Sequence, residues 1–396
     1  MVNTIFLESQ KNGYIMNAIK KILTLTIIGS VLIFAGCEDD DKVSVMDKEE
    51  AITTLEQNDQ ELKTSLKDIE TTDGMQAMQT LNGITEENDP FSDQQKASGY
   101  ETVLENLQEV LKPVNENHLK RSAEQKFDFD KWVGTYKWEG PKEWNIQLEE
   151  PDDAIVIEFP TDTTTEPVEN NATLTINDYS EFETTDSLDN TVYVADTVKM
   201  TLEVDGKEVL NVDYALDYDN ELDAVQSLDA NIYLKPFRWK LSMAQNSIEA
   251  SLINENTGNV LTSFAFEVTF TDDNMEDVEK LDGNVQLHKL NLQGWIKPSK
   301  IGQVEDKDTW ADQGWESIDD VIEYVNEQID ISLYHINGNK IADLKVIKND
   351  TDEEQLVQVV LVFKDDSTEP ARQYFENVIA YIKSVMEKYN VEEPEV

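Results

Sequence analysis

Residues 198–218 read VKMTLEVDGKEVLNVDYALDY. Val198, Met200, Leu202 and Val204 alternate with Lys, Thr and Glu. After Asp205-Gly206 the rhythm resumes at Leu210, Val212, Tyr214, Leu216 and Tyr218. A period of two lines one strand face with apolar side chains, and Asp-Gly between two such runs is a strong hairpin signal. One apolar face and one wet face is the antiparallel condition. The pattern spreads outward from this hairpin. Phe264, Phe266, Val268 and Phe270 repeat it after a turn at 256–259, and about nine or ten strands fit between Trp132 and Ile296. In the last of them Val285 and Leu287 give way to Leu290 and Leu292, a slip that predicts a bulge near His288-Lys289. A meander this long curls into a half-barrel, barrel or sandwich, or has its apolar face covered by helices. The stretch 160–171, rich in Thr and Pro, reads as a loop or linker.

The flanks have a different period. Ile52, Leu55, Leu62, Leu66 and Ile69 keep a helical 3-4 rhythm, broken once by Asp59, and Tyr100, Val103, Leu104, Leu107, Val110 and Leu111 form a second stripe that Pro113 stops. Two antiparallel helices, or three, are the simplest arrangement for 46–125. Beyond 301, Ser317-Ile-Asp-Asp320 has the form of a capping box ahead of Val321, Ile322, Val325 and Ile329. Strands follow at 331–336 and 340–347, joined by Asn337-Gly338, then at 355–363, and a last helix at 371–389. The fold expected is therefore α+β: an N-terminal helical hairpin at 46–125, a large antiparallel β domain at 126–300 and a small α-β-β-β-α domain at 301–396.

Charge and composition exclude several functions. The 396 residues carry 82 acidic against 32 basic side chains, a formal charge of −50. Such a chain is repelled by phosphate backbones, so no nucleic-acid partner is expected. A single cysteine excludes a disulfide framework, a cysteine-rich zinc site and an iron–sulfur cluster. His118, His288 and His335 lie too far apart in sequence for a metal motif. Asp217, Asp219, Glu221 and Asp223 alternate like the start of a calcium loop, but Leu222 and Leu228 stand where that loop needs Gly and Glu. Dinucleotide, phosphate-loop, zinc-protease and serine-nucleophile motifs are all missing. No metal, no cofactor and no enzyme activity are expected; the catalytic alternative is a hydrolase working with a pair of carboxylates.

The N-terminus carries an address. Met16 starts Met-Asn-Ala-Ile-Lys-Lys, followed by an apolar and small-residue run from Ile22 to Gly36 that ends at Cys37. A basic start and a short apolar core describe a signal peptide rather than a membrane span. Phe34-Ala35-Gly36-Cys37 resembles the lipobox of bacterial lipoproteins, with Phe34 where that family usually has Leu. Glu38-Asp39-Asp40-Asp41-Lys42 resembles the acidic tether of surface-exposed lipoproteins of the Bacteroidota. The resemblance covers residues 16–42 and implies removal of 1–36, with Met16 the true start. It also implies acylation of Cys37, a lipid tether over 37–45 and an address on the outer membrane, exposed at the cell surface. Without 1–36 the chain keeps 29 basic and 81 acidic residues, a net −52.

Two aromatic features are candidate ligand sites. Trp132, Tyr136 and Trp138 fall on one face of the first expected strand, where rings stack on a sugar or, more commonly, fill a core. Lys235-Pro-Phe-Arg-Trp-Lys240 gathers three cations in six residues, with Phe237 and Trp239 on one face and Arg238 and Lys240 on the other. Lys235 falls on the aromatic side. With Pro236 removing a ladder donor, the segment reads as a charged edge strand or as a ligand patch built on Lys235, Arg238, Trp239 and Lys240. Asp162-Thr163-Thr164, Asp186-Ser187-Leu188 and Asp366-Ser367-Thr368 resemble the short O-glycosylation acceptor of Bacteroidota. The expected function is a non-catalytic binding or scaffolding module, anchored in the membrane by its lipid, with a glycan, peptide or outer-membrane protein as partner. A carrier of lipid or another hydrophobic ligand on a curled sheet is the first alternative.

Overall fold

The computed structural model describes residues 44–87, 121–122, 129–140, 143–147, 153–164, 167–185, 191–219, 224–244, 246–271, 278–304, 310, 313–349 and 357–381. Cys37, the stripe at 100–111 and the triplet at 186–188 lie outside them. The fold is α+β: an N-terminal helix pair, a long and mostly antiparallel ladder of strands, and helical C-terminal residues. Helix α1 spans Lys48–Glu70 and α2 spans Asp73–Glu87. The break between them falls at Thr71-Thr72, where the Thr72 hydroxyl accepts a hydrogen bond from Met75 N at 3.3 Å and so begins the second helix. Two compact units divide the chain. The first holds the described residues of Leu66–Gln245 and Ser251–Gly258; the second holds those of Met1–Ser65, Asn246–Ala250 and Asn259–Val396.

In the first unit the strands are β1 (Arg121–Ser122), β2 (Gly134–Gly140), β3 (Glu143–Gln147), β4 (Ile155–Phe159), β5 (Ala172–Thr185), β6 (Thr191–Val204), β7 (Lys207–Asp219), β8 (Ala224–Leu234) and β9 (Phe237–Ala244), with a helical turn α3 at Phe129–Trp132 ahead of β2. Their ladder runs β3-β2-β4-β5-β6-β7-β8-β9, antiparallel throughout except for the parallel pair β2–β4. Among the described residues β3 pairs only with β2, so this ladder ends there instead of closing into a barrel. The segment at 198–218 is the β6–β7 hairpin, with Val204 opposite Lys207. Asp205 (φ 50°) and Gly206 (φ 66°) both take the left-handed conformation that a two-residue turn matching the strand twist requires. The predicted apolar set faces inward: Val198, Met200, Leu202, Leu210, Val212 and Tyr214 are buried. Helix α2 packs on β6 and β7. It buries Ala77, Leu81 and Ile84 at helical spacing, each large side chain contributing roughly 1.5–3 kcal/mol by leaving water.

In the second unit β11 (Asn259–Phe270), β12 (Val278–Leu287), β13 (Leu290–Ile296), β14 (Ile329–His335), β15 (Lys340–Lys348), β16 (Val357–Val362) and β17 (Thr368–Pro370) pair in chain order, all antiparallel. Strand β10 (Ser247–Asn254) is shared between the units. Among the described residues twelve strands, β2 to β13, occupy the stretch in which nine or ten were expected. The expected boundary at 300 is not observed. Among the described residues the α-helices α4 (Pro298–Ile301) and α5 (Ile318–Glu327) and a 3-10 turn at Gly302–Val304 lie between β13 and β14, yet Leu290–Ile296 pairs with Ile329–His335 along its whole length. The segment 301–396 therefore continues the meander's ladder rather than forming a separate domain. Helix α5 starts at the predicted capping box: Asp320 N donates to the Ser317 hydroxyl, and the Ser317 hydroxyl, Glu316 N and Ser317 N donate to the Asp320 carboxylate, which they hold below its usual range.

The slip at His288-Lys289 is a turn, not a bulge. Leu287 pairs with Leu290, leaving two residues to reverse the chain, and His288 takes φ 53° without being Gly, Asn or Asp. Tertiary contacts hold it there. His288 N donates to Leu261 O (2.9 Å), Gln286 Nε2 donates to His288 O (2.9 Å), and Lys289 N donates to Asn58 Oδ1 on α1 (2.8 Å). Glu61, one turn further along α1, lies 3.1 Å from His288 Nε2 and 2.6 Å from Lys289 Nζ. The Lys289 ammonium first, and His288 after it, keep the Glu61 carboxyl below its ordinary range.

The break in the first helical stripe has a specific use. Asp59 is only 3% exposed, on the same face of α1 as Ala51, Leu55 and Leu62. Its Oδ1 accepts from Val378 N (3.0 Å), and its Oδ2 accepts from Asn377 N (3.2 Å) and Asn377 Nδ2 (2.7 Å). These amides open the helical residues 376–381, which follow a 3-10 turn at Ala371–Phe375. A carboxylate from a distant helix thus satisfies first-turn amides that have no partner within their own helix.

Candidate functional site

The first predicted ring cluster is core. Tyr136 and Trp138 lie on the inward face of β2 and are buried. Burial pushes the Tyr136 phenol above its ordinary value, and its hydroxyl donates to Trp132 O at 2.8 Å. Trp132 is not on the strand at all: it ends the helical turn α3, since Gly134 is the first residue to enter the ladder. The three rings therefore form no outward platform.

The Lys235–Lys240 segment is a hairpin, not an edge. Lys235-Pro236, joined by a cis peptide, reverses the chain between β8 and β9, and β9 pairs with β8 on one side and β10 on the other. Alternation is as expected, with Phe237 buried and Arg238 on the opposite, wet face beside its cross-strand neighbour Tyr233. Arg238 is already engaged. It pairs with Glu255, donates to Asn231 Oδ1 (3.1 Å) and lies 4.7 Å from the Tyr233 ring centroid, within cation–π range. The guanidinium in turn holds the Glu255 carboxyl below its usual range. Trp239 is half-buried beside Ile232, which leaves Lys235 and Lys240 as the exposed cations of the segment.

The second unit carries a cluster that the sequence reading did not single out. On β13 the core takes Leu290, Leu292 and Ile296, so Asn291, Gln293 and Trp295 stand on the other face. Trp295 is half-buried there, with Asp282 of β12 and Asp330 of β14 directly opposite it in register. Lys280 Nζ lies 5.6 Å and Lys297 Nζ 5.2 Å from its ring centroid, and Lys280 also pairs with Asp282. The next row across the sheet is Asn284, Gln293, Ser332 and Asp343. Ser332 Oγ donates to Asp343 Oδ1 at 2.5 Å, and Lys340 Nζ reaches the same carboxylate at 2.7 Å. An indole, three ammonium groups, three carboxylates, two amides and one hydroxyl thus stand on one surface, the paired residues at cross-strand spacing, about 5 Å apart. Such a surface offers donors and acceptors in alternation around an apolar ring. Three signals for it are present in the sequence: the phase of Leu290–Ile296, and lysines at 280 and 297. Pairing across three strands, which brings Asp282 and Asp330 to Trp295, is not readable from local pattern.

Among the described residues no group of three His, Cys, Asp or Glu side chains is arranged to hold a metal ion. No helix of the described residues is long and apolar enough to cross a membrane. The chain matches no protein-family model, no curated protein and no solved structure.

Proposed function

We propose that this chain is a lipid-anchored binding module of the outer membrane, exposed at the cell surface, and that it holds a glycan on the face around Trp295. The anchor reading is supported by residues 16–42, where the one cysteine of the chain ends a signal-like apolar run. The observation that carries the binding reading is Trp295 itself. It is kept on the polar side of the sheet and ringed by Lys280, Lys297, Asp282 and Asp330. A pyranose presents a C–H face to an indole and hydroxyls at its rim, which these charged groups and the Asn284–Gln293–Ser332 row are able to bond.

Two measurements test the two halves. Mass spectrometry of the native protein is expected to find Cys37 acylated at the mature N-terminus; an unmodified Cys37 within a longer chain removes the anchor. A glycan array probed with the wild type, Trp295→Ala and the double variant Lys235→Glu/Lys240→Glu is expected to lose signal only with Trp295→Ala. The expected weakening is roughly tenfold or more, equivalent to about 1.4 kcal/mol, with the circular dichroism spectrum unchanged. Loss in the Lys235/Lys240 variant alone would move the site to the β8–β9 hairpin.

A further inference from the structure

We propose that the end of the second unit formed by the β14–β15 turn lies against the bilayer, with Ile336 at the lipid interface and the Trp295 face turned away from it. This rests on the acylation of Cys37. The described chain begins at Ser44, and it is tied at once to the start of β15: Lys340 N donates to Ser44 O and Met46 N to Lys340 O, both at 2.9 Å. The segment Ser44–Met46 takes the side of β15 that β16 occupies only from Asp343 onward. Seven peptide units separate Cys37 from Ser44, so even a fully extended tether spans only about 25 Å.

The residues next to that tie point form one end of the sheet. The turn 336–339 joins β14 to β15, and Ile336 N donates to Lys289 O of the β12–β13 turn at 2.9 Å. The β16–β17 turn is also here, with Lys364 Nζ 3.2 Å from Asp47 Oδ1 and Phe363 N donating to Ser367 O. Among the described residues two large apolar side chains are exposed, and Ile336, at 55%, is the more exposed of them. The turn around it, Asn337-Gly338-Asn339, is uncharged, unlike most of this acidic surface. Lys340 and Lys364 beside it are neutralised by Asp343 and Asp47. The β16–β17 turn adds the carboxylates of Asp365 and Asp366 to this end, so the lipid contact falls to the uncharged 336–339 turn, where an exposed Ile336 fits a lipid interface and gains nothing from bulk water. Trp295, opposite Asp330, lies at the other end of β14, about 17 Å further out at 3.3 Å per residue.

The test uses the acylated full chain, in which an introduced cysteine is the only free thiol. Ile336→Cys and Lys348→Cys, the latter at the far end of β15 and about 26 Å from Lys340, are labelled with a fluorophore. Each is reconstituted in phosphatidylethanolamine–phosphatidylglycerol vesicles carrying a headgroup nitroxide. Quenching several-fold stronger at 336 than at 348 is expected. Equal quenching, or stronger quenching at 348, in protein whose Cys37 is shown to be acylated overturns the orientation alone. An unacylated Cys37 overturns the anchor and the orientation together.

Discussion

Replacing Gly283 by alanine is expected to cost about 4 kcal/mol or more and to unfold the second unit at a markedly lower temperature. Gly283 on β12 faces Phe266 of β11 and Gly294 of β13 in register. A Cβ built there falls well inside contact distance of the Ala265 carbonyl oxygen and 2.8 Å from Phe266 Cδ1. The carbonyl belongs to the ladder itself, so no rotamer change relieves the clash, and the two strands must move apart and lose hydrogen bonds. Gly302 is the control in the same unit: its added Cβ meets nothing within 4 Å, and it has ordinary helical backbone (φ −57°). Gly302→Ala should stay within about 0.5 kcal/mol of the wild type. Guanidinium melts of the three proteins decide the matter. Equal midpoints for Gly283→Ala and Gly302→Ala would show that β11 and β12 do not approach as closely as described.

Asp59→Ala should be the next most damaging change, at about 3 kcal/mol. It leaves Asn377 N and Val378 N without their acceptor at the start of a helix, and an unpaired buried donor costs about 1–3 kcal/mol. Asp59→Asn keeps an acceptor but turns a donor toward other donors, so it should fall between wild type and alanine. The local signature is amide hydrogen exchange. Protection at Asn377 and Val378 should drop by about two orders of magnitude, since each tenfold corresponds to about 1.4 kcal/mol, while amides of the β6–β7 hairpin keep theirs. Unchanged protection at those two amides would refute the capping role.

Where local chemistry decides the structure, the sequence is readable. Asp205-Gly206 is a turn because both residues tolerate the left-handed conformation, and Ser317 with Asp320 starts a helix because each satisfies the other's amide. What escaped has a distant cause. His288-Lys289 reads as a bulge because neither residue favours a turn; Asn58 and Glu61, more than two hundred residues away, stabilise it. Asp59 looks like a flaw in a heptad until Asn377 is brought to it. The break in pattern at 301–317 looks like a domain boundary, although backbone pairing from β13 to β14 passes across it. At the Trp295 face, alternation fixes which side the ring takes, while its carboxylate neighbours come from strands 13 residues before it and 35 after it.

The attachment of Ser44–Met46 to β15 also sets how the second unit yields to force. A pull on the chain from residue 43 first loads Ser44–Met46, whose Met46 side chain is buried. It meets two backbone hydrogen bonds at Lys340 and a weaker one from Lys364 Nζ to Val45 O at 3.4 Å. Behind them stand the Lys48–Glu369 ion pair and then the apolar face of α1, with Leu55 and Leu62. These bonds lie in series along a strand edge, so they break one after another as the segment peels. Only a pull that strips α1 itself would remove Asp59 from the C-terminal helix and Glu61 from the β12–β13 turn. The unit is thereby fitted with a short lead, Ser44–Met46, between residue 43 and the elements that keep it folded.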